Sequence, residues 1–123
     1  MPKKILVADD EKELVEMIQL RLEANGYEVY TAFDGKEALN KAKEKKPDLI
    51  ILDILMPEKE GTVVAAELKN YAPTANIPII FLTCLAEGIS KLKEAYKSGG
   101  NIFIAKPFDT EQLLSTIKGL LSK

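Results

Sequence analysis

Two adjacent aspartates, Asp9 and Asp10, directly follow a short apolar run at residues 5–8. Carboxylates about 4 Å apart repel each other by a few kcal/mol at an effective dielectric constant near 20. A buried strand that ends in two such groups therefore needs a partner that offsets their repulsion. A bound cation is one such partner.

A third carboxylate, a hydroxyl and an ammonium stand at equivalent points later in the chain. Asp53 ends the apolar run 49–53, Thr83 ends the run 78–83, and Lys106 follows the run 101–105. Carboxylates without nitrogen or sulfur ligands suit a hard cation, above all Mg²⁺. A carboxylate can also attack phosphorus, and phosphoryl transfer needs groups that neutralise the transferred oxygens. These residue types predict a Mg²⁺-dependent phosphoryl-transfer site.

Each of these residues also has a purely structural interpretation. Asp10 could cap a helix, with Glu13 completing a capping box, and Asp53 could cap the turn that follows it. Lys106 could be an ordinary surface charge. A functional site is favoured because the structural interpretation would require side chains from four distant segments to meet at one place by chance.

The pattern of the chain explains why they would meet. Apolar runs of strand length alternate with segments of helical period. Strands are predicted at residues 3–8, 27–32, 49–53, 78–83 and 101–105, and helices at 11–24, around 38–42, at 62–70, around 89–96, and from a capping signal at 109–112 onward. Five such units indicate an α/β fold with one parallel sheet covered by helices on both faces. The carboxyl ends of all strands then lie at one edge of the sheet, where such folds bind ligands.

Composition narrows the possible chemistry. The 123 residues contain no histidine, which excludes histidine-based catalysis and imidazole metal sites, and one cysteine, Cys84, which excludes an internal disulfide. A net charge of −2 does not favour nucleic-acid binding. No apolar run approaches a membrane span or a signal peptide, so we expect a single cytoplasmic domain over residues 1–123 with no membrane insertion.

Four motifs resemble the receiver domain of two-component response regulators, and the resemblance extends over residues 4–121. They are ILVADDE (5–11), LIILDILMPEKEG (49–61), PIIFLT (78–83) and FIAKPF (103–108). The resemblance implies a flavodoxin-like, doubly wound (βα)5 fold with strand order 2-1-3-4-5. It is nearest to the stand-alone receivers of the chemotaxis and sporulation type.

The resemblance also implies a role for each residue of the site. The phosphoryl group comes from a phosphohistidine on a sensor histidine kinase or a histidine phosphotransfer protein. Asp53 is the phosphoacceptor, and Thr83 and Lys106 bind the phosphoryl oxygens. The ligands of Mg²⁺, or of its substitute Mn²⁺, are Asp9, Asp10, Asp53 and the backbone carbonyl of Leu55. Thr83 and Phe103 form the switch pair, and Lys106-Pro107 is a cis peptide.

The implied output is a protein contact. Such a domain catalyses its own phosphorylation and dephosphorylation but is not a conventional enzyme. Its downstream target binds the face formed by the fourth helix, the fifth strand and the fifth helix, and the domain is a monomer or a weak phosphorylation-dependent dimer. Leu55 and Leu85 are apolar where many relatives carry polar groups, which predicts a long-lived phosphate.

Three other functions stay open at this point. The chain could be a degenerate receiver that only binds proteins or dimerises. It could be the N-terminal receiver of a larger DNA-binding regulator. An aspartate-based phosphatase is disfavoured because Leu55 stands where a second acid would be expected.

Overall fold

One parallel sheet of five strands organises the chain. The structure is a computed structural model that describes residues 2–83, 102–106 and 108–122. The strands are β1 (Lys4–Ala8), β2 (Glu28–Ala32), β3 (Leu49–Asp53), β4 (Ile79–Thr83) and β5 (Ile102–Ala105). Their order is β2-β1-β3-β4-β5, and every neighbouring pair is parallel. The predicted fold class and strand order are confirmed.

Helices connect the strands and cover the sheet. They are α1 (Lys12–Ala24), α2 (Gly35–Lys45), α3 (Gly61–Lys69), a 3-10 helix (Ala72–Thr74) and α4 (Thr110–Leu121). The helix predicted around residues 89–96 lies outside the described residues. Of the capping box predicted at residues 109–112, the structure shows the N-cap, since the Asp109 carboxylate accepts a hydrogen bond from the Glu111 N–H at 2.9 Å.

The core consists of two apolar layers, one on each face of the sheet. All residues of β3 and β4 are buried, as expected of central strands whose two faces are both covered. Strand β2 is partly exposed and begins with the exposed Glu28, which confirms the predicted edge position. Residues such as Leu6 and Phe81 pack on one face, and residues such as Ile5 and Ile80 on the other.

The loop that follows β3 is held against the start of α2 and α3. The Gly35 N–H donates to the Pro57 carbonyl at 3.0 Å, and the Gly61 N–H donates to the Ile54 carbonyl at 2.7 Å. A Cβ atom at Gly61 would overlap the Asp53 carbonyl oxygen and lie 3.1 Å from the Ile54 Cα. The chain therefore needs glycine at position 61 to turn back immediately beside Asp53.

We expect Gly61→Ala to lower the free energy of unfolding by about 1–3 kcal/mol, because the new methyl group meets backbone that cannot move aside. Denaturant unfolding followed by circular dichroism measures this. Gly119→Ala is the matched control: nothing lies within 4 Å of its added Cβ, and the exchange within α4 should stabilise by up to about 1 kcal/mol. Equal effects of the two substitutions would contradict the close approach at Gly61.

Candidate functional site

The ends of four strands bring the predicted site residues to one edge of the sheet. Asp53 and Thr83 are the last residues of β3 and β4, Asp9 directly follows β1, and Lys106 directly follows β5. The Lys106 N–H donates to the Thr83 carbonyl at 2.7 Å, so the backbone of Lys106 is fixed to the end of the neighbouring strand. The edge predicted from the sequence is therefore formed by the residues that were expected there.

Three carboxylates form a compact acidic cluster. One oxygen each from Asp9, Asp10 and Asp53 lies within 4.8 Å of the others. Asp9 and Asp53 are buried, whereas Asp10 is exposed. The second oxygen of Asp9 is tied to the backbone, since Asp9 Oδ1 accepts from the Glu11 N–H at 2.9 Å.

The ammonium of Lys106 lies among the carboxylates. Its Nζ is 2.6 Å from Asp9 Oδ2 and 3.6 Å from Asp53 Oδ2. A third carboxylate oxygen, Glu11 Oε1, lies 3.2 Å away on the solvent side. The Lys106 side chain is only 12% exposed, so these charges interact in partly desolvated surroundings, where Coulomb forces are stronger than in water.

The same surroundings shift two pKa values. Burial, followed by repulsion from Asp9, raises the pKa of Asp53 to about 6, although Lys106 opposes the rise. Burial lowers the pKa of Lys106, but its neighbours Asp9, Asp53 and Glu11 raise it to about 12. The lysine therefore stays charged at neutral pH, while the carboxyl of Asp53 is ionised at a cost that a further cation would reduce.

The cluster meets the requirements of a Mg²⁺ site. Asp9 Oδ2 is fully buried and pairs with Lys106 as an ion pair without the alignment of a hydrogen bond, which leaves this oxygen with unused acceptor capacity. The donor set consists of oxygen atoms alone, and one ammonium does not balance three carboxylates. Asp9, Asp10 and Asp53 would hold the ion, which when bound neutralises negative charge on the phosphoryl oxygens.

The hydroxyl and the aromatic residue assigned to the switch are both buried. Thr83 is 2% exposed at the end of β4. Phe103 lies in β5 opposite Phe81 of β4, and the two rings stack with centroids 5.0 Å apart at an angle of 16°. Phe103 is thus part of the core, and its role as a switch stays a prediction.

Several predicted roles are not tested by the contacts described above. The backbone of Leu55 lowers the pKa of the Asp53 carboxyl slightly against the larger effects that raise it. The interpretation of Asp53 as a cap of the following turn stays a prediction. The roles of the Leu55 carbonyl and of the phosphoacceptor stay predictions. Pro107, Cys84 and Leu85 lie outside the described residues, and so does the predicted cis peptide.

The interpretation of Asp10 and Glu13 as a capping box is wrong. Helix α1 begins at Lys12 with Glu11 as its N-cap residue, and no side chain caps it. The carboxylate that accepts a backbone N–H at this turn belongs to Asp9.

Sequence reasoning missed the contact between Glu11 and Lys106. The two residues are 95 positions apart, and they meet because the segments that follow β1 and β5 come together at one edge of the sheet. The available signal was the third consecutive acidic residue after β1, in the run Asp9-Asp10-Glu11.

Comparison with known proteins establishes the class of this domain. The family described as the response regulator receiver domain matches residues 5–118, so the chain belongs to that family. Receiver domains act between histidine kinases and downstream effectors in two-component signalling. The expectation drawn from the four motifs is confirmed.

Individual relatives resemble the chain over its whole length. It is 39% identical over 123 residues to the alkaline phosphatase synthesis transcriptional regulatory protein PhoP of Bacillus subtilis. The chemotaxis response regulator CheY4 of Vibrio cholerae superposes with a TM-score of 0.87 at 32% identity, covering 98% of this chain and 99% of that one. The CheX-CheY-BeF3-Mg²⁺ complex of Borrelia burgdorferi gives a TM-score of 0.89 at 27% identity, covering 100% of this chain and 92% of that one.

The match to the curated relatives covers only part of them. The chain spans about half the length of PhoP, 50%, although the match includes all of its own residues. Within residues 2–83, 102–106 and 108–122, none of the helices has the length and apolar character that a membrane crossing requires.

Without divalent ions, we expect Asp53→Asn to stabilise the protein at pH 7.5. Because the pKa of Asp53 is raised from 3.8 to about 6, the folded state favours the protonated carboxyl. That stability is fully present below about pH 4 and is lost as the pH rises through 6. The amide avoids this loss, which is worth on the order of 1–3 kcal/mol at pH 7.5.

Denaturant unfolding in EDTA at pH 4 and pH 7.5 measures the difference, which should vanish at the lower pH. Asp109→Asn is the control with the same change in charge, and it should change stability little because Asn caps a helix as well as Asp. A destabilised Asp53→Asn protein at pH 7.5 would contradict the repulsion within the acidic cluster.

Proposed function

We propose that this domain accepts a phosphoryl group on Asp53 in a Mg²⁺-dependent reaction and thereby switches a protein-binding surface. The observation that carries the proposal is the position of the Asp53 carboxylate: its Oδ2 lies 3.6 Å from the Lys106 ammonium, and one of its oxygens lies within 4.8 Å of oxygens from Asp9 and Asp10. A nucleophilic carboxylate thus stands beside one fixed cation and the residues suited to hold a second.

The donor is a phosphohistidine on a sensor histidine kinase or a histidine phosphotransfer protein. An Asp53 oxygen forms a bond to phosphorus while the bond from phosphorus to the imidazole nitrogen breaks, and the electron pair leaves with the imidazole. Since the transition state is loose, the protein mainly positions groups and balances charge. Lys106 and the Thr83 hydroxyl bind the transferred oxygens, and Asp9, Asp10 and the Leu55 carbonyl help Asp53 to hold Mg²⁺ or Mn²⁺.

The raised pKa of Asp53 is consistent with this role. The ionised carboxylate is the form that attacks phosphorus, and with a pKa of about 6 most molecules carry it at neutral pH. The acyl phosphate that forms carries more negative charge than the carboxylate it replaces, so the reaction depends on the cations beside Asp53. The solved complex of the Borrelia burgdorferi relative contains BeF3 and Mg²⁺, which agrees with a proposal that combines a phosphoryl group with Mg²⁺.

The switch links this site to the face around β5. Thr83 ends β4, and Phe103 packs on Phe81 of the same strand, so a movement of Thr83 toward the phosphoryl group alters the packing next to Phe103. Strand β5 and helix α4, which is the fifth helix predicted from the sequence, border the surface that we assign to the downstream protein. We place the domain in the cytoplasm, as a monomer or a weak phosphorylation-dependent dimer.

A second proposal concerns the protein as a whole. The identity to PhoP, a transcriptional regulatory protein twice as long, favours a receiver within a larger DNA-binding regulator. The equally complete match to CheY4, which this chain covers over 99% of its length, favours a stand-alone receiver. Coding sequence beyond residue 123 distinguishes the two.

Incubation with acetyl phosphate and Mg²⁺ should add one phosphoryl group to the protein, because the donor needs no partner. Intact-mass spectrometry measures the gain. EDTA and Asp53→Asn should each abolish it, and Glu13→Gln, an exposed change on α1, should not. No gain from either acetyl phosphate or a phosphorylated kinase would favour the degenerate receiver, and release of phosphate from varied organic phosphates would favour the phosphatase.

The phosphorylated form should be long-lived. Leu55 is 48% exposed and apolar, so its side chain offers no group that orients or activates an attacking water. We expect Leu55→Asn with Leu85→Glu to accelerate decay of the phosphoprotein roughly tenfold or more, as positioned polar groups do in hydrolysis. Loss of labelled phosphate over time measures the rate. Val63→Asn, a polar change at another exposed apolar residue, should leave it unchanged, and an unchanged rate in the double variant would refute the idea.

A further inference from the structure

We propose that Glu11 is a positioning residue that competes with the incoming phosphoryl group for the Lys106 ammonium and so slows phosphorylation. This inference rests on the proposed function of Asp53 and Lys106. It concerns a side chain that the reaction itself does not require.

Carboxylates surround the Lys106 ammonium, and its contact with Glu11 at 3.2 Å has hydrogen-bond geometry. An ammonium has three N–H groups, and three carboxylates surround this one, from Asp9 at 2.6 Å, Glu11 at 3.2 Å and Asp53 at 3.6 Å. A phosphoryl group on Asp53 brings new oxygens that also need a cation. Lys106 can bind them fully only if it gives up one of its present partners.

Burial decides which partner is released. The Asp9 side chain is fully buried, so its carboxylate cannot exchange the ammonium for water. Removing the partner of a buried charge is costly. The Glu11 side chain is 63% exposed and returns to water easily. Glu11 is therefore the partner that must leave.

Within residues 2–83, 102–106 and 108–122, the Glu11 side chain makes its hydrogen bond and its ion pair with Lys106. Glu11 is the N-cap residue of α1, yet its carboxylate does not cap that helix. It reaches instead to a lysine 95 positions away in sequence. The contact keeps the ammonium on the side of Asp9 and Glu11, at 3.6 Å from Asp53.

Removing the charge of Glu11 should release the ammonium toward Asp53. In Glu11→Gln the side chain keeps its size, but its hydrogen bond to the ammonium is no longer between two ions and is weaker. Exposed ion pairs of this kind change a rate or an equilibrium by up to roughly fivefold. We expect phosphorylation by acetyl phosphate to be about two- to fivefold faster than in the wild type.

The experiment compares Glu11→Gln, Glu11→Asp and Glu13→Gln with the wild type at saturating Mg²⁺. Intact-mass spectrometry gives initial rates against acetyl phosphate concentration, which suits a chain without tryptophan. Titration with beryllium fluoride and Mg²⁺, followed by NMR, gives an equilibrium readout for a phosphoryl-like group. Thermal unfolding and Mg²⁺ titration of each variant show whether folding or metal affinity has changed.

The variants distinguish a direct contact between Glu11 and Lys106 from a general effect of negative charge near the site. Glu11→Asp keeps the charge but is one methylene shorter, so a competing contact predicts behaviour close to Glu11→Gln in both rate and beryllium fluoride binding. Glu13→Gln removes a charge from the same helical turn and should match the wild type. A Glu11→Gln rate at or below the wild type overturns the proposal, and so does a Glu11→Asp rate closer to the wild type than to Glu11→Gln.

Failure of the proposed function is a separate result. If the wild type gains no phosphoryl group from any donor, the assignment of Asp53 fails and the inference fails with it. If the wild type is phosphorylated and Asp53→Asn is not, equal rates in wild type and Glu11→Gln overturn only the role of Glu11.

Discussion

A single ammonium among several carboxylates is the interaction on which this site depends. Lys106 faces Asp9, Glu11 and Asp53, and Asp10 lies in the same acidic cluster, so negative charge exceeds positive charge at the edge of the sheet. Such an excess, partly removed from water, raises the free energy of the folded state. The site is consequently prepared to gain stability from any further positive charge.

The fold makes this arrangement possible at a tolerable cost. Strands β3 and β4 are buried throughout, so Asp53 and Thr83 are carried at the ends of well-packed elements. Backbone hydrogen bonds extend beyond the strands, since Ile54 donates to Leu82 at 3.1 Å and Lys106 donates to Thr83 at 2.7 Å. The large apolar core thus supports a small polar edge where charges are held in an unfavourable arrangement.

Two side chains beside the acidic cluster, Glu11 and Leu55, add to the residues that the receiver motifs place at this site. The acidic cluster, Thr83 and Lys106 lie where the matched receiver motifs predict them. Glu11, the last residue of the motif at 5–11, reaches Lys106, and the side chain of Leu55 in the motif at 49–61 is exposed. In our proposals, Glu11 slows the entry of the phosphoryl group, and Leu55 slows its loss. The first would set how quickly the signal forms, and the second how long it lasts.

The sequence by itself determined the fold class and predicted that Asp9, Asp53, Thr83 and Lys106 lie at one edge of the sheet, whereas the strand order was implied by the resemblance to receiver domains. Apolar runs ending in Asp53, Thr83 and the residue before Lys106 are local signals, and parallel strands must end at one edge. Tertiary structure alone decided that Asp9 rather than Asp10 is buried against the lysine, and that Glu11 reaches the same ammonium. The physical reason is that burial and ion pairing depend on how the segments that follow β1 and β5 meet at the edge of the sheet, and no local pattern separates three consecutive acids by their distance from a residue 95 positions away.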